Sequence, residues 1–481
     1  MEESIPLYID LDGTLIRSDL AQEMLVQAAA RPEHFGALTR LLAQREWSRV
    51  KRYLAEHVDF VPESLPYVAA VIDHAKTARA LGRRVVLATA ADRIAADRIA
   101  EYLGIFDAVI ASEPGRNMKS RVKLDAIRQD AGSDDFEYIG NSNDDIPIWD
   151  AAAARGYVNP PIGVAPDAIH LSDGGVLVQD QVPTGRVLLK AMRPHQWSKN
   201  VLLVVPMILS AGYAEPANLI LVIIGFLMFS FCASAIYILN DLVDIEADRA
   251  HRSKRNRPFA AGTLLPITGV KAAVFLLGVG LVGGFGLIGS AFGLVLLGYV
   301  GLTMAYSMYL KQFSTIDVVT LALLYSVRLL AGAVAISVPL SPWLLNFALF
   351  FFLGLAYLKR YIEVARSTGT GRIGKRNYET DEIDFIAMFG IANSALAILT
   401  LSLFLNSDAV TETYASPYVL WLLLPLFAQW TFRTWIWAKR GKIDDDPVVF
   451  ALKDRQSRMI IGLCVVLIVV AQRLPIGGAL F

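Results

Sequence analysis

Cysteine is almost missing from this chain of 481 residues. Its two copies, Cys232 and Cys464, both lie in apolar runs, so neither a disulfide framework nor a cysteine-based metal site is expected. Net charge is missing as well: 45 basic and 45 acidic residues cancel, but they are strongly segregated along the chain. No nucleic-acid partner is expected. Internal repeats and low-complexity tracts are lacking, and residues 1–4 lead straight into a short strand with none of the pattern of a signal peptide. Most telling, residues 219–239 contain no charged side chain at all.

What is present divides in two. Residues 1–195 or so have ordinary mixed polarity, and beyond them apolar runs of membrane-spanning length lift the hydrophobic content to 54%, so a domain with its linker is expected over 1–185 and a membrane domain over 186–481. Nine spans are expected, at about 197–213, 217–239, 267–288, 291–310, 316–336, 342–358, 383–405, 416–437 and 459–476. Loop charge supports this count. Arg249, Arg252, Lys254, Arg255 and Arg257 follow the second span, Lys311 the fourth, and Lys359, Arg360, Arg366, Arg372, Lys375 and Arg376 the sixth. Lys439, Arg440, Lys442, Lys453 and Arg455 follow the eighth, while the loops at 212–216, 289, 338–341 and 407–414 contain no Lys or Arg. By the positive-inside rule the even-numbered spans end in the cytoplasm, together with the N-terminal region.

The N-terminal region reads as an α/β parallel sheet with polar groups gathered at the carboxyl ends of its strands. Strands are expected at 5–9, running into Asp10-Leu-Asp12-Gly13-Thr14, at 83–89, ending in Thr89, and at 136–139, ending in Gly140-Asn141-Ser142-Asn143-Asp144-Asp145. One aspartate can attack phosphorus and a second, two residues on, can protonate the leaving oxygen, while a hydroxyl and a lysine hold the phosphate. The lysine comes from Asn117-Met-Lys119-Ser-Arg-Val-Lys123. Over residues 5–160 this order of elements resembles the haloacid dehalogenase superfamily of phosphatases. The resemblance implies Asp10 as nucleophile, Asp12 as acid/base, Thr89 as phosphate-binding hydroxyl and Lys119 as the lysine, with Lys123 the alternative. It also implies a small helical cap over about 20–67, and Mg²⁺ held by Asp10, Asp12, Asn141 and Asp145. Asn141 stands where the family usually has an aspartate, so weaker metal binding is expected. Pro160, Pro161, Pro166, Gly174, Gly175 and Pro183 mark a linker toward the membrane.

In the membrane region Asn240-Asp241-Leu-Val-Asp244-Ile-Glu-Ala-Asp248 follows the uncharged run directly. If the helix continues past Leu239, Asp241, Asp244 and Asp248 share one face over about 10 Å. Carboxylates at the mouth of an apolar helix are costly and read as functional, unless they pair with the basic run that follows. Oxygen ligands suit Mg²⁺ bridged to a diphosphate. Arg193 and Lys199 open the first span, Tyr306 and Lys311 close the fourth, Asp317 and Arg328 lie in the fifth, and Lys359, Arg360 and Glu363 end the sixth. Taken singly, Lys199 and Lys359 also suit headgroup anchoring, and Asp317 with Arg328 a structural ion pair. Together, acids and bases on one membrane face favour group transfer with loss of diphosphate to a lipid at the bilayer surface.

Over residues 190–481 the aspartate motif in a bundle of spans resembles the UbiA superfamily of intramembrane prenyltransferases. Arg193-Pro-His-Gln-Trp-Ser-Lys199-Asn200 and Tyr306-Ser-Met-Tyr-Leu-Lys311 resemble its decaprenyl-phosphate phosphoribosyltransferase branch. Lys359-Arg-Tyr-Ile-Glu363 replaces the second acidic motif usual in that superfamily, with one acid and more positive charge. The resemblance implies a phosphoribosyl diphosphate donor, a polyprenyl phosphate acceptor and Mg²⁺ on Asp241, Asp244 and Asp248 with Asn240 beside them. Lys311, Lys359 and Arg360 would take phosphate oxygens, and Arg193 and Lys199 the lipid phosphate. Prenyl transfer from a prenyl diphosphate is the alternative within the same fold. A transporter with a cytosolic sensor domain is the alternative of another class, marked by broken helices in two matching halves, which the sequence lacks.

Overall fold

The computed structural model describes residues 5–164, 176–366, 378–443 and 446–475. Arg372, Lys375 and Arg376 of the basic loops and Pro166, Gly174 and Gly175 of the linker lie outside them, as does the end of the ninth span. Packing divides the chain into two units: Met1–Met192 with Tyr237–Ala273, and Arg193–Ile236 with Val274–Phe481. The sequence boundary near residue 185 does not anticipate that the aspartate segment groups with the N-terminal region.

The first unit is built on a six-stranded parallel sheet in the order β3-β2-β1-β4-β5-β6. Its strands are β1 Leu7–Ile9, β2 Val85–Asp92, β3 Ala108–Ser112, β4 Glu137–Gly140, β5 Ala154–Val158 and β6 Leu177–Val178. Successive side chains point to opposite faces, so Leu7, Ile9, Val85 and Leu87 join one apolar layer while Tyr8, Val86 and Ala88 join the other. Burial on both faces explains why these strands are continuously apolar. In the central triplet β2-β1-β4, Asp10 and Asn141 directly follow β1 and β4, and Thr89 lies near them inside β2, which runs on to Asp92 rather than ending at Thr89. The expected cap is three helices, Leu20–Ala29, Pro32–Ala43 and Trp47–His57. Asp19 starts the first by accepting from Gln22 N at 2.9 Å, and proline starts the second. The same unit holds the last turns of the helix Pro216–Val243, the short helix Ile245–Ala250 and a 3₁₀ turn at Lys254–Asn256.

Among the described residues, seven helices are long and apolar enough to cross a membrane: Pro216–Val243, Pro266–Ile288, Ser290–Met308, Ile316–Ala335, Pro342–Arg366, Thr380–Leu405 and Arg455–Arg473. This makes the chain a multi-pass membrane protein. The other two expected spans are not single α-helices. The first is a 3₁₀ helix, Pro194–Val204, followed by one turn and a half at Val205–Leu209. The eighth is a 3₁₀ stretch, Pro417–Leu422, leading into Leu423–Lys439. Pro206 and Pro425 lack the N–H that a continuous α-helix needs at those points. Gly332 lets the irregular first segment pack closely, because a Cβ there would lie 2.1 Å from the Leu203 carbonyl oxygen.

Candidate active sites

At the carboxyl end of the parallel sheet, Asp10 is buried and Lys123 Nζ donates to its Oδ1 at 2.8 Å. The same ammonium reaches Asp145 Oδ1 at 3.3 Å and the Tyr138 hydroxyl at 2.9 Å. Asp145 has both oxygens engaged: Tyr138 OH donates to Oδ1 at 2.5 Å, and Asn141 N and Ser142 N donate to Oδ2 at 3.1 and 2.9 Å. Lys119 instead pairs with Asp144 at 3.0 Å in an exposed position. The lysine in contact with Asp10 is therefore Lys123, the alternative of the two. Helical spacing explains it: the helix Arg121–Ala131 turns Lys123 inward, while Lys119 lies before its start. Asp145, expected as a metal ligand, is in contact with that lysine.

Burial pushes the Asp10 carboxyl up to about 6, with Asp145 adding to the rise and Lys123 opposing it. Burial also raises Asp12 well above the ordinary carboxylate range, helped by Asp19. A carboxyl that keeps its proton can give it to a leaving oxygen. Asp12 Oδ1 accepts Leu20 N at 2.8 Å, which ties this residue to the first cap helix. Thr89 is fully buried and its hydroxyl accepts from Ala91 N at 3.0 Å. Asn141 Oδ1 accepts from the Thr14 hydroxyl at 3.3 Å. Asp10, Asp12, Lys119, Lys123 and Asn141 all line one cavity of about 480 Å³. Tyr138 gave no warning in the sequence, since it reads as a strand residue.

In the aspartate segment the α-helix stops at Val243 and restarts at Ile245, with Asp244 between at φ −95°, ψ 14°. The backbone bonds Asp244 N to Asn240 O at 3.0 Å and Asp248 N to Asp244 O at 2.8 Å keep the turn almost continuous. Asp241 and Asp248 are buried and converge on one guanidinium nitrogen: Arg257 Nη1 donates to Asp241 Oδ1 at 3.2 Å and to Asp248 Oδ2 at 2.7 Å. Asp244 is half-buried beside them. Among the described residues no three acidic, His or Cys side chains are gathered closely enough to hold an ion. Still, two buried carboxylates shaped around one cationic atom are a fitting donor set for a hard divalent ion. Arg257 entered the sequence reading only as loop charge.

In the second unit, the fully buried Arg360 donates from Nε to Asp317 Oδ2 at 2.5 Å, from Nη2 to Tyr306 OH at 3.2 Å, and also to Glu363. Tyr378 OH donates to the other oxygen of Asp317 at 2.7 Å. Asp317 and Arg328, which by sequence also suit a structural ion pair, do not pair with each other. Eleven residues apart on one helix, they are separated by about 16 Å. Arg328 donates instead to Asn200 Oδ1 at 2.9 Å, Tyr299 OH at 3.2 Å and the Leu324 carbonyl, among the rings of Phe229, Tyr299 and Tyr325. Lys199 and Lys359 meet on Asp446 Oδ2, at 2.7 and 3.5 Å. Burial alone would raise the Asp446 carboxyl, but Lys359 and Lys199 hold it well below the ordinary range. Asp446 was missed in the sequence, although an acid directly before Pro447 is a helix-start signal. Arg193 and Lys311 are both half-buried.

Comparison with known proteins gives two family matches, the UbiA prenyltransferase family over residues 201–453 and haloacid dehalogenase-like hydrolase over residues 7–149. An uncharacterized protein of Sinorhizobium fredii is 36% identical over 95% of this chain and 89% of its own length. A decaprenyl-phosphate phosphoribosyltransferase of Mycobacterium tuberculosis is 32% identical, covering 45% of this chain and 72% of that protein. Among solved structures, a UbiA homolog from Archaeoglobus fulgidus bound to GPP and Mg²⁺ aligns over 59% of this chain and 99% of its own, at 17% identity and TM-score 0.45. The protein is an enzyme with transferase and hydrolase-like parts, and its chain belongs to the UbiA prenyltransferase family.

Proposed function

We propose that the transferase moves a 5-phosphoribosyl group from phosphoribosyl diphosphate to a polyprenyl phosphate, and that the hydrolase-like part then removes the 5-phosphate. The observation that carries the reading is the pair of buried carboxylates, Asp241 and Asp248, focused on a single cationic position. Asp241, Asp244 and Asp248, with Asn240, would hold Mg²⁺. When bound, that ion offsets charge on a departing diphosphate. Lys311, Lys359 and Arg360 take phosphate oxygens of the substrates, and Arg193 and Lys199 the lipid phosphate. Arg360 is fixed by Asp317, Tyr306 and Glu363, so its charge is oriented before substrate arrives. A lipid phosphate oxygen attacks ribose C1 as the bond from C1 to the diphosphate oxygen breaks, and the diphosphate leaves with the electron pair.

The half-buried Lys359, standing where a second acidic motif is usual, supports a donor with an additional phosphate over a plain prenyl diphosphate. The identity shared with a decaprenyl-phosphate phosphoribosyltransferase supports the same choice. In the second step Asp10 attacks the 5-phosphorus, Asp12 gives its proton to the leaving ribose oxygen, and Lys123 steadies the charge on Asp10 and the phosphoryl oxygens. The resulting acyl phosphate is released by water, with Asp12 taking the proton back. Orientation with the hydrolase-like part and catalytic loops in the cytoplasm of a cell membrane follows from the loop charges.

Membranes carrying the protein, incubated with phosphoribosyl diphosphate labelled in the ribose, test the reading. Label is expected in the lipid extract, and phosphate release is expected to follow. Consumption of prenyl diphosphate alone would point to prenyl transfer, and no product from either donor to a transporter.

A further inference from the structure

The hydrolase-like pocket is not walled by its own domain alone. Leu265, from the loop that follows the aspartate segment, lines it together with Asp10, Asp12, Leu25, Trp47 and Leu54. The short helix Ile245–Ala250 that leads into this loop is locked onto the cap by a buried, bidentate ion pair. Arg249 donates from Nη1 to Glu23 Oε2 at 2.9 Å and from Nη2 to Glu23 Oε1 at 2.6 Å, with side chains only 5% and 4% exposed. Arg249 Nε also donates to the Ala260 carbonyl at 3.0 Å, so the same guanidinium shapes the loop and docks it. Two further contacts secure the arrangement. Ile267 N donates to Gln22 Oε1 at 3.1 Å, and Gly262, at φ +68°, approaches so closely that a Cβ would lie 2.8 Å from Arg17 Cβ.

The position of this clamp is informative. Glu23 sits in the first turn of the cap helix whose Leu20 N–H donates to Asp12. Arg249 follows Asp248 directly, and Asp248 shares Arg257 with Asp241. A planar fork meeting a carboxylate fixes both distance and angle, which a lysine could not do. The pocket it completes has a polar floor and an apolar side made by Leu25, Trp47, Leu54 and Leu265. Its volume of about 480 Å³ far exceeds what a bare phosphate fills.

We propose that Glu23 and Arg249 are positioning residues that set Leu265 as a specificity wall of the hydrolase-like pocket, making it selective for phosphate monoesters joined to an apolar body. This rests on the hydrolase part of the reading above, under which the transferase's own phosphoribosylated lipid carries a phosphate monoester on its ribose and its apolar chain beyond the second phosphate. The transferase loop thereby selects the ester that the hydrolase receives.

The test uses the full chain in detergent micelles with Mg²⁺, comparing hydrolysis of n-octyl phosphate and p-nitrophenyl phosphate. Leu265→Ser is expected to raise KM for octyl phosphate about tenfold relative to that for p-nitrophenyl phosphate, the size expected for losing one apolar contact in a pocket. Arg249→Glu is expected to shift the same ratio in the same direction. The exchanged pair Glu23→Arg with Arg249→Glu should restore it, and Arg249→Lys should restore it only in part. An unchanged KM ratio in Leu265→Ser, or an exchanged pair no better than Arg249→Glu alone, overturns the proposal. If the native chain hydrolyses neither ester, the hydrolase reading fails separately. The clamp is then judged by hydrogen exchange: amides 20–24 and 260–267 should exchange faster in Arg249→Glu and recover in the exchanged pair. Equal exchange in all three chains would remove the clamp as well.

Discussion

Lys199 Nζ lies 2.7 Å from Asp446 Oδ2, across 247 positions of sequence. The carboxylate also takes Lys359 and caps the helix that begins at Pro447, accepting from Val448 N at 3.0 Å. Two lysines from distant parts of the chain and the start of the next helix thus depend on one buried acid. Asp446→Ala is expected to destabilise the protein by about 3 kcal/mol, since it leaves two partly buried cations uncompensated and a helix uncapped. Thermal unfolding in detergent measures this, and Asp446→Asn, which keeps much of the cap, should cost less. An Ala variant as stable as the native chain would show that the lysines find other partners.

Arg257 stands between Asp241 and Asp248 as a tethered counter-cation. Asp241→Ala and Asp248→Ala should each lower transfer from labelled donor by about 10²-fold or more, and chelation of divalent metal should abolish it. Arg257→Gln removes the competitor for the same carboxylates. Mg²⁺ is therefore expected to raise the melting temperature of that variant more than that of the native chain, by the usual linkage of binding to stability. An equal shift in both would mean that the ion does not use these two acids.

For the hydrolase-like site, Lys123 and Lys119 make opposite predictions. Lys123 is buried against Asp10, whereas Lys119 is exposed on Asp144. Lys123→Ala should cut phosphate release by about 10²-fold or more. Lys119→Ala, which removes only an exposed pair, should stay within about twofold. A reversed ranking, read from steady-state rates, would return the lysine role to Lys119.

Glu137 supplies an acid-sensitive anchor beneath that site. It is fully buried, with His74 Nε2 at 2.9 Å on one oxygen and Arg83 Nη2 at 2.6 Å on the other. Burial pushes its carboxyl upward, but the bonds from His74 and Arg83 outweigh this and hold it below its ordinary 4.5. A depressed native value means that the stabilisation is fully present above 4.5 and drains away as pH falls through the lower value. Melting temperature should therefore drop between about pH 5 and pH 3, and less steeply in Glu137→Gln. Parallel curves for the two chains would exclude Glu137 as the source.

Local pattern made much of this protein readable. Uncharged runs of membrane length, loops alternating in Lys and Arg, and strands leading to Asp10, Thr89 and Asn141 all depend on near neighbours or on simple periodicity. Such signals survive in a single sequence because each span or strand must satisfy its own backbone and solvent. The two broken spans were less readable, because apolar composition reports burial and not whether prolines leave the helix continuous. Lys119 and Lys123 could not be ranked by spacing alone, since the start of one helix decides which points inward.

The membrane character, the parallel sheet and the two sets of aspartates are each written in contiguous residues. Packing chose the partners: Arg360 rather than Arg328 for Asp317, Arg257 for Asp241 and Asp248, Asp446 for two lysines, and Glu23 for Arg249. The reason is physical. A buried charge must find an opposite charge or a polar cage, but nothing in its local sequence states which of many distant candidates the packed chain will bring within 3 Å.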